Sequence, residues 1–127
     1  MNAKQLEFDA AIREHYLKVY QEKQNIAYAI VQAINFMILN SKATTQGAIN
    51  LDLEHCTELL TKTATDQKHK SDRTLLPVIS LIRIYRRIAQ KVNPHLDIKD
   101  IMQEIYKNGN KLAEHILMQP QIIRKFA

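Results

Sequence analysis

Residues 26–39, IAYAIVQAINFMIL, constrain this chain more than any other stretch. They are apolar except for Gln32 and Asn35, and contain neither Gly nor Pro. Wound as a helix, the run is hydrophobic in every direction, so it belongs in the middle of a protein rather than on its surface. It is too short to span a bilayer, which needs roughly 20 apolar residues, and two amides would be costly in lipid. It is no secretory signal either. Glu7, Asp9, Glu14 and Glu22 precede it, where a signal has a short basic start. The cytoplasm is the default location on this reading, although export by another route would leave the same sequence.

The rest of the chain supplies helices to surround that segment. With 127 residues, two glycines, three prolines and no sustained strand alternation, the composition points to one all-α domain over residues 1–127. In residues 3–22, Phe8, Ile12, Tyr16 and Val19 form a stripe at helical spacing, and Asp9 with Arg13 and Glu14 with Lys18 are i,i+4 pairs. A break or bend is expected within residues 21–25. Residues 40–47 read as a loop, and Asn50 or Asp52 as the start of a helix running to about Thr65 with Leu53, Cys56, Leu59, Leu60 and Thr63 on one side.

Residues 65–72 are polar throughout and read as the longest exposed loop. Ser71 or Asp72 is the expected cap of the next helix, with Pro77 near its start. That helix runs to Val92, with Val78, Leu81, Ile82, Tyr85, Ile88, Ala89 and Val92 inward. Arg83 and Arg87 point away from that face, Arg86 and Lys91 lie on its flanks, and Asn93 and Pro94 stop it. A further helix starts at Asp97 with Ile98, Ile101, Met102, Ile105 and Tyr106 inward. Asn108, Gly109 and Asn110 are expected to close it, with Gly109 at positive φ, and to cap a short successor carrying Leu112, Ala113, Ile116 and Leu117. Pro120 ends that helix, and Ile122, Ile123 and Phe126 form a last packed turn. The sum is a compact bundle of five to six helices around a central hydrophobic helix over residues 25–40.

Chemistry-bearing patterns are scarce. Cys56, the only thiol, excludes an internal disulfide and falls on an apolar stripe, where a buried, inert thiol is expected. His55 beside it points about 100° away on a helix. No two of the five histidines stand three or four residues apart, so no helical metal pair is formed, and His15 at the rim of the first apolar stripe reads as a structural residue. P-loop, GxGxxG and GxSxG patterns are absent. The two helix-turn-helix candidates, around Arg87 to His95 and across residues 98–117, have the wrong residues after the turn or acidic residues on the reading side. These observations imply a non-enzymatic protein with no cofactor and no metal.

Charge is the one global feature with functional content. Residues 1–61 carry five Lys/Arg and seven Asp/Glu. Residues 62–91 carry eight against two, and residues 92–127 carry five against four. The basic excess of the chain is therefore confined to one thirty-residue window. Lys68, Lys70, Arg73, Arg83, Arg86, Arg87 and Lys91 are the candidate binding residues. The first expectation is a small helical adaptor, inhibitor, immunity-type protein or complex subunit that meets a protein partner, acidic in character, on this basic face. The alternative is a nucleic-acid-binding protein using residues 62–91 on phosphates. Self-association through an extended first helix is a further expectation, and a merely solvated outer face fits the same charge pattern.

Overall fold

Two adjacent residues, Gln24 and Asn25, decide that the first forty residues become two helices. The structure is a computed structural model and describes residues 2–67, 83–85, 87, 88, 91 and 95–118. Helix α1 spans Ala3–Lys23 and helix α2 spans Ile26–Asn40. Gln24 takes the left-handed conformation (φ 51°, ψ 35°), and its backbone N–H donates to the Tyr20 carbonyl at 2.7 Å. Its side-chain amide adds bonds of 3.2 Å to the carbonyls of Tyr20 and Gln21, which satisfies acceptors that a helix end leaves open. Asn25 then caps α2 by accepting from the Tyr28 N–H at 3.0 Å. The expected break within residues 21–25 is thus made by a C-cap and an N-cap side by side.

The bundle is all-α, with no strand among the described residues, and α2 is its centre. Eight of its residues are buried, from Ala29 to Ile38, and at 100° per residue they cover about two thirds of the way around the helix, leaving one strip with Gln32 and the exposed Leu39. Tyr28 and Phe36 are half-buried against the same core. Ile12 and Tyr16 of α1 are buried on it, with Phe8 and Val19 packed at the edge, as the stripe implies. No helix among the described residues is long and apolar enough to cross a membrane.

Helix α3 spans Gln46–Asp66 and begins earlier than Asn50 or Asp52, the starts implied by the sequence. Thr45 is the cap, accepting from the Ala48 N–H at 3.1 Å, while Asp52 is already held by the Ser41 hydroxyl at 2.9 Å. Leu53, Cys56, Leu60 and Thr63 are buried as expected and Leu59 is half-buried. The hydroxyls of Thr57, Thr61, Thr63 and Thr65 each donate at 2.8 Å to a carbonyl three or four residues back, so Thr57 and Thr63 enter the core with their polar atoms satisfied.

The last described helix, α4, spans Ile98–Met118 and runs straight through Asn108, Gly109 and Asn110. The expected helix end there is overturned. Gly109 is buried and no glycine has positive φ. Its missing Cβ serves closeness instead: a Cβ there would stand 2.2 Å from Asn35 Oδ1 and 2.9 Å from the Tyr85 hydroxyl. Beside this contact, Tyr85 donates to Asn35 Oδ1 at 2.8 Å and lies 3.3 Å from the Val31 carbonyl. The Asn35 amide donates to Asn110 Oδ1 at 3.3 Å. Asn110, which reads as a turn residue, and Asn35, an amide in the apolar run, are therefore parts of one clasp with Tyr85, whereas Asn108 donates to the Glu104 carbonyl of its own helix. Between α3 and α4, residues 83–85, 87, 88 and 91 are helical, with Ile84 and Tyr85 in the core and Ile88 half-buried on it. The expectations at Ser71, Asp72, Pro77, Val78, Leu81, Ile82, Ala89, Val92, Asn93, Pro94, Pro120, Ile122, Ile123 and Phe126 lie outside the described residues.

One histidine makes this packing sensitive to pH. The His15 ring stacks on Phe36 of α2, with centroids 4.8 Å apart and planes at 15°. Desolvation holds its pKa below the ordinary value, Lys18 adds to that shift and Glu22 opposes it. The folded state therefore prefers the neutral ring more than the unfolded state does. The unfolded chain takes up a proton first, so stability falls as pH drops through the unfolded value of about 6.5 toward the lower folded value. In His15→Phe that share of the pH dependence is expected to vanish, and the difference between the two proteins' urea midpoints at pH 7.5 and 5.5 checks it.

Candidate binding surface

Arg83, Arg87 and Lys91 stand at successive four-residue steps of a helix, so each is turned only about 40° from the last and the three form one row. All three are exposed. Their orientation follows from their neighbours, because Ile84 and Tyr85 are anchored in the core and Tyr85 is tied to Asn35 of α2. Burial raises the Tyr85 phenol far above its ordinary range, so it stays a neutral donor in that bond. Among the described residues no carboxylate forms an ion pair with Arg83, Arg87 or Lys91. The structure therefore brings three of the seven candidate cations together, and Lys68, Lys70, Arg73 and Arg86 lie outside the described residues.

Cys56, Asp9 and His55, the groups with chemical potential, are engaged in the packing. Cys56 is buried, and burial together with Asp9 and Asp52 pushes its thiol well above the ordinary range, so it is held as a neutral thiol rather than a nucleophile. Asp9 is buried too. It accepts from Gln5 Nε2 at 2.9 Å and from His55 Nε2 of α3, 3.0 Å and 3.1 Å from its two oxygens. The sequence suggests Arg13 as its partner four residues on, yet Asp9 lies on the inward side of α1 and meets α3 instead. Its place between Phe8 and Ile12 on the apolar stripe is the signal that separates it from a surface carboxylate. No group of three His, Cys, Asp or Glu residues that could hold a metal ion occurs among the described residues.

Two clefts flank this pair. Near the starts of α1 and α3, residues 2–8 and 48–52 line one. Toward the other end, residues 10–17 and 63–67 line another. With Asp9 on His55 between them, the two helices run parallel and start at the same end of the bundle. The chain matches no protein-family model, no curated protein and no solved structure. The definable class is an α-helical bundle with a cationic row on one helical segment.

Proposed function

We propose that this protein is a non-enzymatic binding protein whose row Arg83, Arg87 and Lys91 receives an acidic surface of a protein partner. The carrying observation is that three cations are aligned, exposed and held outward by a buried Tyr85. Arginine suits this work because its planar guanidinium makes bidentate bonds to carboxylates. Such a charged row chiefly accelerates encounter and selects the partner's sign of charge.

The test compares the protein with an Arg83→Ala/Arg87→Ala/Lys91→Ala variant in crosslinking and pull-down from cells of the source. A partner recovered with the parent and lost with the variant supports the reading. A partner retained equally by both overturns it. Nucleic acid is the competing ligand, favoured by the concentration of eight Lys/Arg within residues 62–91. It makes a separate prediction. Random-sequence DNA or RNA would bind with an affinity that falls with salt, and the triple variant would reduce the log–log salt slope by roughly 2–3. Absence of binding at low salt ends that alternative.

A further inference from the structure

Gln24 alone among the described residues has a positive φ, 51°. Glycine adopts that conformation readily, and a residue with a Cβ does so at a cost. Nothing in the local sequence asks for it. Residues 3–40 hold neither glycine nor proline, and Gln21, Glu22, Lys23 and Gln24 are all good helix formers.

The hydrogen-bond ladder nearly runs through the junction. The Gln24 N–H donates to the Tyr20 carbonyl at 2.7 Å and the Ala29 N–H to the Asn25 carbonyl at 3.0 Å, both at the four-residue step of an α-helix. Between them, side chains take the place of the backbone. The Gln24 amide bonds the Gln21 carbonyl, and the Asn25 side chain receives the Tyr28 N–H. If Gln24 turned right-handed and Asn25 left its extended conformation (φ −130°, ψ 109°), the N–H groups of residues 25–28 would meet the carbonyls of residues 21–24. The apolar phase is continuous as well. Ile12 and Ile30, both buried, are separated by about five whole turns, so one straight helix would carry them on the same side, with Phe8, Val19, Ile26 and Met37 beside them.

We propose that Gln24 and Asn25 form a hinge through which two copies of this chain exchange α1. Each chain straightens residues 3–40 into one helix, and its α1 packs on α2 and α3 of the second copy. The stack of His15 on Phe36 and the bond of His55 to Asp9 then form between copies instead of within one. Because α1 folds back along α2, the two straight helices lie antiparallel about a two-fold axis, and the assembly closes as a dimer. Exchange keeps the contacts of α1 and removes the left-handed residue from both hinges, while joining two chains opposes it, so the hinge and the concentration set the balance. The cationic row takes no part, so this proposal and the binding reading can fail separately.

Light scattering after annealing near the thermal midpoint, over a series of concentrations, measures the dimer. Gln24→Ala/Asn25→Ala removes both side-chain substitutes and favours helix, and should tighten the dimer by about a hundred-fold or more, since each dimer straightens two hinges. Gln24→Gly accepts the bend freely and weakens a straight helix, and should loosen the dimer by about ten-fold or more. The comparison of Gln24→Gly with the parent keeps the test in force if the double variant misfolds. In dimers annealed from a mixture of ¹³C-labelled and unlabelled chains, the His15–Phe36 ring contact should appear between labelled and unlabelled chains. Monomer alone at millimolar concentration in the parent and the double variant, a dimer whose His15–Phe36 contact stays within each chain, or a dimer indifferent to the glycine change would each overturn the proposal.

Discussion

A single methyl group added by Gly109→Ala is expected to destabilise the protein by about 2–4 kcal/mol, although Gly to Ala inside a helix ordinarily stabilises by about 1 kcal/mol. The new Cβ would stand 2.2 Å from Asn35 Oδ1 and 2.9 Å from the Tyr85 hydroxyl, both well inside contact distance. Asn35 cannot step aside cheaply. It is buried, its oxygen accepts from Tyr85 and its amide donates to Asn110. Displacing it leaves buried polar groups unpaired at about 1–3 kcal/mol each, and overpacking alone costs about 1–3 kcal/mol. At roughly 3–5 °C per kcal/mol for a chain this size, the thermal midpoint should fall by about 6–20 °C. A double-mutant cycle isolates the cause. In an Asn35→Ala background the obstructing amide is gone, and Gly109→Ala should cost far less than in the parent. A Gly109→Ala protein as stable as the parent would refute the close approach of α4 to α2.

Removing the ring that meets Asp9 is expected to cost more than removing Asp9 itself. The Asp9 side chain is 4% exposed, whereas that of His55 is 38% exposed. In His55→Leu the carboxylate remains buried with Gln5 as its remaining donor, at an expected loss of about 2–3 kcal/mol. In Asp9→Leu the histidine left behind can be solvated, and an apolar side chain joins the apolar face of α1, so the loss should be smaller by about 1 kcal/mol or more. The double change Asp9→Leu/His55→Leu should recover part of the His55→Leu loss. Urea unfolding of the four proteins at pH 7 reads this order directly. If Asp9→Leu proves the most damaging, the pair contributes net stability and the argument from burial is wrong.

The features that were readable in the linear pattern are those carried by short-range periodicity. A fourteen-residue run apolar on all sides must be central, and α2 is. The stripe of Phe8, Ile12, Tyr16 and Val19 turns toward it, and Cys56 is buried. The failures share one physical origin, a local signal overruled by a contact distant in sequence. Asn108, Gly109 and Asn110 have turn chemistry, but Asn110 meets Asn35 from 75 residues away and Gly109 is small because α2 passes close by. Asp9 has Arg13 at the favourable spacing and is instead bonded to His55, 46 residues on. Asn50 and Asp52 resemble helix caps, yet Thr45 takes that role first. Of the candidate surface, the outward direction of Arg83 and Arg87 was legible from helical phase. The clefts flanking Asp9 and His55 were not, since no periodicity reports what several elements enclose together.

The reversal at Gln24 also bears on how a ribosome would deliver this fold. Because the link between α1 and α2 is two residues long, their mutual contacts are available as soon as α2 has emerged, and local helical contacts form quickly. Tyr85 and Asn110 come later in the chain and meet Val31 and Asn35 on one side of α2. Synthesis from the amino end thus creates the template before the parts that must read it, and a segment docked out of register would leave the Asn35 amide without its partners.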